Sequence, residues 1–93
     1  MTLSVTHNTA AHCFEVTVDG HRCVIDYVLN RQVMTVMHTG VPEALSGRGI
    51  AAAMTHYALE AARAAGWKVI PACTYTAAYL LKHPEFADLN IQT

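Results

Sequence analysis

Four stretches in the first forty residues have a strand-like pattern of apolar and polar side chains, and the first of them alternates with the period of two that is typical of a β-strand. They are residues 3–7, 14–18, 22–29 and 33–39. Asp19-Gly20 lies between the second and the third, and an Asp-Gly pair between strand-like stretches is a strong signal for a two-residue hairpin turn. A second turn is predicted at residues 30–32. The pattern therefore predicts an antiparallel meander of four strands.

The register of the first hairpin follows from its two-residue turn. Because side chains alternate between the faces of a strand, counting outward from the turn places one apolar set on a single face: Phe14, Val16, Val18, Cys23 and Ile25. Cys13 falls on the other face with Glu15 and Thr17. Cys13 and Cys23 are therefore expected neither to form a disulfide nor to share a metal ion, and Cys23 is expected to be a small core residue.

The second half of the chain changes to a helical pattern. Residues 49–65 are rich in alanine, the strongest helix former. Their larger apolar residues and two alanines trace one stripe of a helix: Ile50, Met54, Tyr57, Ala58 and Ala61. Gly66 is a natural helix stop. A first helix is therefore predicted over residues 49–65.

A fifth strand and a second helix complete the chain. Residues 67–70 predict the strand, and Pro71 should end its pairing because proline has no N–H to donate. Thr74 is predicted to cap a helix over residues 75–83 that Pro84 closes, and residues 85–89 form a further short turn. The fourth strand is apolar on both faces at its centre, which predicts layers above and below the sheet. The expectation is one α+β domain over residues 1–93, a mixed sheet with helices packed on it.

The charge balance excludes several classes of function. Six Lys and Arg stand against seven Asp and Glu, a net charge of −1, whereas nucleic-acid binding needs an excess of positive charge. No apolar run approaches the ~20 residues of a membrane-spanning helix, and the first residues have neither the basic region nor the apolar block of a signal peptide. We therefore expect a cytoplasmic protein with no nucleic-acid or membrane partner.

The three cysteines and six histidines are residue types that could bind a metal ion. Their spacings match none of the usual ligand patterns, and no CxxC motif is present. An odd cysteine count without a signal peptide also argues against a secreted disulfide framework. Neither a metal site nor a disulfide is predicted.

The segment Gly47-Arg48-Gly49-Ile50-Ala51 leads directly into the first predicted helix. Its small residues leave the backbone bare, so a ligand can approach the N–H groups that a helix start leaves without acceptors. Together with the helix dipole these groups form an anion site that suits a pyrophosphate. The segment is neither a P-loop nor a dinucleotide-binding fingerprint. From these residues alone, a flexible turn before a helix is an equal alternative.

Four segments, in the right order, resemble the minimal single-domain members of the GNAT N-acetyltransferase superfamily. They are residues 38–42 (His-Thr-Gly-Val-Pro), 45–51 (Leu-Ser-Gly-Arg-Gly-Ile-Ala), 68–73 (Lys-Val-Ile-Pro-Ala-Cys) with Tyr75 and Tyr79, and 83–89 (His-Pro-Glu-Phe-Ala-Asp-Leu). Gly49 and Ala51 occupy the two small positions of the superfamily's acetyl-CoA pattern, Gln/Arg-x-x-Gly-x-Gly/Ala. Ser46 stands where that pattern has Gln or Arg.

The resemblance implies that acetyl-CoA or coenzyme A lies in a cleft where the fourth and fifth strands diverge near Pro71. The pantetheine would run beside residues 39–41, and the pyrophosphate would bind the backbone N–H groups of residues 47–51, with Arg48 offering charge. Lys82 and His83 would lie near the nucleotide end. The implied cofactor-binding residues are Thr39, Gly40, Val41, Ser46, Gly47, Arg48, Gly49, Ile50, Ala51 and Ala52.

Four residues are candidates for catalysis in such a cleft. Cys73 either attacks the thioester as a nucleophile or merely packs beside the coenzyme sulfur. Tyr75 and Tyr79 either protonate the leaving thiolate or pack between helix and sheet. His38 is either a general base or, by the register of the second hairpin, a buried neighbour of Cys23.

The resemblance implies an acetyl-CoA-dependent N-acetyltransferase acting on a primary amine. Because the chain is short, the acceptor site should be open and suited to a protein lysine, an N-terminus or a polyamine. Glu43 could receive the amine there or be a solvated charge at the rim. The alternative is a coenzyme-A- or acyl-CoA-binding module without turnover, which Ser46 and the lack of an obvious base leave open. We expect a monomer or a weak homodimer.

Overall fold

The computed structural model describes residues 3–91, and its elements follow the predicted order. The strands are β1 (Thr6–Asn8), β2 (Cys13–Val18), β3 (His21–Asn30), β4 (Val33–Gly40) and β5 (Lys68–Pro71), and the helices are α1 (Ile50–Ala65) and α2 (Thr74–Lys82). Short 3₁₀ helices span Glu43–Leu45 and Pro84–Leu89. The first strand is shorter than predicted, although Leu3 and Val5, which precede it, pack against the core. Within the described range, no helix is both long and apolar enough to cross a membrane.

The five strands form one sheet in chain order. β1 to β4 pair antiparallel, and β5 pairs parallel to β4 after the crossover through α1. The mixed sheet with a four-stranded meander is therefore confirmed. Beyond β5, Ile91 N–H donates to the carbonyl of Val69 at 3.1 Å, so Asn90 and Ile91 lie along the outer edge of that strand.

The first hairpin has the predicted register. Asp19 and Gly20 form the turn with φ of 50° and 78°, and the apolar set of β2 and β3 lies on the face that packs into the core. Cys13 is on the opposite face, as expected, yet it is buried, because Arg22 lies across it with Nη2 3.9 Å from Sγ. Cys13, Cys23 and Cys73 are all free thiols.

The pairing of β3 with β4 contains a β-bulge that the sequence analysis did not anticipate. The register shifts between Asp26 and Tyr27, because Met37 is an extra residue in β4. A bulge moves every later side chain of its strand to the other face. His38 therefore pairs with Asp26 and is exposed. The expectation that His38 is buried beside Cys23 is wrong for this reason.

The two helices cover one face of the sheet. α1 and α2 contact each other, both contact β4 and β5, and their buried side chains join one core with the apolar face of the strands. The side chains on the other face of the sheet are more exposed to solvent. Val28 is 52% exposed, and Thr35, which pairs with it, is only half-buried. In the part of the chain that the structure describes, the prediction that β4 is covered on both faces is therefore wrong.

α1 begins one residue later than predicted, and its buried face shares Ile50, Met54 and Ala58 with the predicted stripe but is rotated toward Leu59. It ends at Gly66, whose φ is 77° and whose N–H donates to the carbonyls of Ala62 and Arg63. Tyr57, predicted in the buried stripe, is 40% exposed, while Leu59 is fully buried. Alanines flank the stripe on both sides, so the sequence pattern did not determine which way the helix is rotated about its axis.

An aromatic cluster beside β1 contains a perturbed histidine. His7 Nε2 lies 2.6 Å from the Tyr27 hydroxyl, and the His7 ring stacks on Phe14 with centroids 4.2 Å apart. Burial, and secondarily the charge of His12, lowers the pKa of His7. The folded state therefore favours the neutral imidazole.

We expect the free energy of unfolding to fall as the pH drops below about 6.5, because the unfolded His7 takes up its proton at a higher pH than the folded one. The stabilisation is present above the unfolded pKa and is lost as the pH falls through the lower folded value. Urea titrations between about pH 7.5 and 5.5 measure the slope. His7→Phe should flatten it, whereas His21→Gln, at an exposed position of β3, should not. Equal slopes for His7→Phe and the wild type would contradict this assignment.

Candidate active site

Two adjoining cavities lie between α1 and α2. The first, of about 300 Å³, is lined by Val41, Leu45, Ser46, Gly47, Gly49, Ile50, Ala51, Ala52 and Tyr75. The second, of about 250 Å³, is lined by Ala52, Tyr75, Ala78, Tyr79, Lys82 and His83. Because Ala52 and Tyr75 line both cavities, the two form one groove that runs from the start of α1 to the end of α2.

The glycine loop presents bare backbone to the first cavity. Gly47 and Gly49 have φ of 82° and 75°, the left-handed region that glycine adopts without strain. Gly49 is the N-cap of α1, and the helix has neither a capping side chain nor an acidic residue in its first turn. The N–H groups at the start of α1, including those of Ile50 and Ala51, are therefore available to an anion in the cavity.

Seven of the ten residues predicted to bind the cofactor line the first cavity, and Thr39, Gly40 and Arg48 do not. Arg48 Nη1 lies 2.6 Å from Asp19 Oδ2, which turns its side chain toward the β2–β3 turn. Both partners are well exposed, and exposed ion pairs contribute little stability. The charge of Arg48 is therefore held beside the loop by a weak contact.

β4 and β5 diverge at the predicted place. Their pairing ends at Val36 and Pro71, and one further hydrogen bond joins Cys73 N–H to the Val36 carbonyl at 2.9 Å. β4 continues to Gly40. Among the residues described, its last four therefore have no β5 partner, and a gap opens beside Cys73.

Cys73 is the N-cap of α2, so the predicted cap, Thr74, is already the first helical residue. The hydrogen bond of Cys73 N–H to β4 keeps this residue extended, and the helix begins at Thr74, one residue earlier than predicted. The Cys73 S–H donates to Thr39 Oγ1 at 3.5 Å. Burial alone would raise the pKa of the Cys73 thiol, but its hydrogen bonding with Thr39 and with the backbone N–H groups of Thr76 and Tyr75 outweighs burial, and the pKa is lowered.

Two tyrosines and a histidine line the groove along α2. Burial raises the pKa of Tyr75 and of Tyr79, and the charge of Glu85 adds to the effect on Tyr79, so both hydroxyls keep their protons. The His83 ring stacks on Tyr79 with centroids 3.7 Å apart. His83 Nδ1 lies 2.8 Å from the Tyr79 carbonyl. Since a carbonyl only accepts, Nδ1 carries a proton and Nε2 is left as the acceptor of the neutral ring.

His38 lies outside the groove. The bulge in β4 places its exposed side chain near Gly40, where an added Cβ would lie 3.1 Å from His38 Nε2. Tyr75 and Tyr79 therefore line the groove, Cys73 lies against the end of β4 beside it, and His38 lines neither cavity.

Two residues that line the groove, Leu45 and Ala78, and the buried Thr76 near Cys73 were not predicted from the sequence. Leu45 closes the first cavity from a 3₁₀ helix too short to give a periodic signal. Ala78 lies one turn after Tyr75 on α2, so the helical period could have identified it. Thr76 is buried next to Cys73 and carried no sequence signal of its own. No group of three or more His, Cys, Asp or Glu residues between positions 3 and 91 could hold a metal ion.

Comparisons with known proteins identify the family and the fold. A family model described as GCN5-related N-acetyltransferase matches residues 13–89. The solution structure of a Staphylococcus aureus protein, described as GCN5-like and as a candidate N-acetyltransferase, superposes with a TM-score of 0.76 at 22% identity, over 98% of this chain and 90% of that one. No match was found among the curated proteins. The likeness in structure shows the shared fold. The sequence match runs from β2 through the glycine loop to the last 3₁₀ helix, and the chain therefore belongs to the GCN5-related N-acetyltransferase family.

Proposed function

We propose that this protein transfers an acetyl group from acetyl-CoA to a primary amine. The observation that carries the proposal is the groove, which begins at the uncapped N–H groups of α1 and passes Tyr75 beside the gap between β4 and β5. A groove with an anion site at one end and a strand gap within reach suits a long ligand with a diphosphate and a reactive thioester.

The pyrophosphate would bind in the first cavity. The N–H groups of residues 47–51 donate to its oxygens, and the dipole of α1 favours its charge. Arg48 would exchange its exposed contact with Asp19 for a phosphate oxygen. Lys82, which lines the second cavity, supplies a cation for the nucleotide end.

The pantetheine would follow β4 from the cavity toward Cys73. Val41 lines the first cavity, and Thr39, two residues earlier and roughly 7 Å along an extended chain, touches the Cys73 thiol. The unpaired edge of β4 in this stretch offers backbone groups to the pantetheine amides. A backbone N–H at the strand end would also polarise the thioester carbonyl, a contribution often worth ~2.7–4 kcal/mol.

The acetyl transfer needs a neutral amine and a proton for the departing sulfur. Tyr75 lies at the junction of the two cavities, and its raised pKa keeps the hydroxyl protonated, so it can donate to the coenzyme thiolate. Met37 and Ala72, on the two strand ends that flank the gap, are exposed. An acceptor therefore reaches the thioester without entering an enclosed pocket, which favours a lysine side chain, an N-terminus or a flexible polyamine.

Thiol release from acetyl-CoA, measured with a panel of such amines, tests the proposal. We expect release that depends on an acceptor, together with saturable binding of coenzyme A by titration calorimetry. Binding without release from any acceptor would instead indicate a coenzyme-binding module. An absence of binding heat with both coenzyme A and acetyl-CoA would contradict the assignment of the cofactor.

A further inference from the structure

β1 lies at the edge of the sheet and is held there by little backbone. It spans only three residues, Thr6–Asn8, and pairs with β2 alone, so its ladder hydrogen bonds are few and lie on one side. Leu3 and Val5, which precede it, are only partly buried. Between positions 3 and 8 the structure places none of the fully buried core side chains. The core of the domain is therefore complete without β1, and side-chain contacts decide whether this strand stays in place.

The most extensive of these contacts are made by His7, the middle residue of β1. Its ring stacks on Phe14 with centroids 4.2 Å apart and meets the Trp67 ring edge-on at 5.9 Å. Its Nε2 lies 2.6 Å from the Tyr27 hydroxyl. The three partners belong to β2, to the residue before β5 and to β3, so one imidazole joins β1 to three other parts of the sheet. Moving β1 away from the sheet requires His7 to leave this aromatic cluster.

The hydrogen bond between His7 and Tyr27 suits a neutral imidazole. Tyr27 is only 4% exposed, and within residues 3–91 its hydroxyl has no hydrogen-bond partner except His7. Burial raises the pKa of Tyr27, so the hydroxyl keeps its proton and needs an acceptor. The neutral ring provides one at Nε2, whereas a protonated ring carries a hydrogen on both nitrogens and accepts nothing. Protonation of His7 therefore leaves a buried hydroxyl proton without its acceptor.

The charges around the cluster do not compensate for a protonated His7. His12, in the turn between β1 and β2, stacks on the other side of Tyr27 with centroids 5.5 Å apart. Burial, and secondarily the like charge of His12, lowers the pKa of His7. From α1, Tyr57 reaches the cluster only through Phe14, at 6.0 Å between centroids. Each neighbour that can titrate is thus neutral or becomes positive together with His7.

The carboxylates of the neighbouring strands lie on the other face of the sheet. Glu15 of β2 and Asp26 of β3 each stand next to a core-facing residue in the chain, so their side chains point away from the cluster. Glu15 is also paired with Arg22, at 2.9 Å. A positive charge on His7 consequently has no carboxylate to face while β1 is docked, but it is solvated by water once β1 has left.

We propose that His7 makes the docking of β1 sensitive to acid: its neutral ring keeps residues 3–8 on the sheet, and protonation releases them while β2 to β5 and both helices stay folded. In the released segment the pKa of His7 returns to its ordinary value, so the proton is bound more tightly there than in the cluster. Release therefore becomes more favourable as the pH falls below about 6.5 and gains nothing above it. This inference is independent of the proposed acetyl transfer.

Hydrogen exchange followed by NMR between about pH 7.5 and 5.5 tests the proposal, with each rate divided by the intrinsic rate at that pH. We expect the protection of the β1 amides to fall several-fold across this range. Their exchange should be independent of low urea concentrations, because a local opening exposes little surface. Amides in the middle of α1 should instead exchange faster with urea. If the β1 amides showed the same urea dependence as those of α1, β1 would leave only when the whole domain unfolds, and the proposal would be overturned.

Three histidine variants assign the effect to one ring. His7→Phe keeps an aromatic ring that binds no proton, so the protection of β1 should no longer depend on pH. His12→Gln removes the like charge and should reduce the loss of protection without abolishing it. His21→Gln, at an exposed position of β3, is the matched control and should behave as the wild type. A loss of protection in His7→Phe as large as in the wild type would overturn the proposal.

A measurement on the unaltered protein gives the same answer without a variant. The NMR titration of the His7 ring should coincide in pH with the loss of protection in β1. A His7 ring that takes up its proton while the β1 amides stay protected would show that the cluster accepts the charge, and the proposal would fall.

Discussion

Replacing Gly49 by aspartate is expected to weaken the binding of coenzyme A by roughly 30-fold or more. Gly49 is the N-cap of α1, and a carboxylate there would accept from the same N–H groups that we assign to the pyrophosphate. It would also place a negative charge beside the diphosphate. Titration calorimetry with coenzyme A measures the loss. Gly49→Asn, which has a similar shape without the charge, should retain more affinity.

Gly66, at the other end of the same helix, is the control position for the backbone strain that a side chain at residue 49 would introduce. Gly66 has φ of 77°, close to the 75° of Gly49, and an added Cβ meets nothing within 4 Å at either position. Gly49→Ala and Gly66→Ala should therefore lose similar stability, about 1–2 kcal/mol each, but only the first should weaken coenzyme binding. Wild-type affinity in Gly49→Asp would show that the pyrophosphate does not bind at the start of α1.

Leu59→Ala should lower the free energy of unfolding by about 2–5 kcal/mol, because it removes a fully buried side chain from the core. Leu81→Ala, the same substitution on α2 at a residue 86% exposed, should change it by less than about 0.5 kcal/mol. Urea unfolding of both variants measures the difference. A Tyr57→Ala variant less stable than Leu59→Ala would contradict the rotation of α1 and support the stripe expected from the sequence.

Much of the fold could be predicted because short-range chemistry determines it. Asp19-Gly20 sets the register of the first hairpin, and Gly66 ends α1 in a conformation that glycine adopts without strain. The bulge at Met37 has no comparable local residue to mark it. It changes the pairing of β4 with β3, and the pattern along one strand does not contain that pairing. For this reason the predicted burial of His38 was wrong, although the strand that contains it was predicted correctly.

In the candidate site too, features that depend on neighbouring residues were predictable, and features that depend on residues distant in the sequence were not. The glycine loop was predictable because its bare backbone and the helix that follows it are adjacent in the sequence. The direction of Arg48 was not, since Asp19, its partner, lies 29 positions away. The start of α2 was predicted one residue too late, because the hydrogen bond that keeps Cys73 extended joins it to Val36, which is distant in the sequence.

The extra residue in β4 also decides which side chain stands next to the sulfur at the junction of β5 and α2. With Met37 present, Thr39 pairs with Ile25 and places a hydroxyl 3.5 Å from Cys73. In a regular ladder His38 would take that place, and the sulfur would meet an imidazole as its neighbour. A relative with the same residues whose fourth strand pairs without the bulge would thus carry a cysteine–histidine couple, a different acid–base apparatus on an unchanged scaffold.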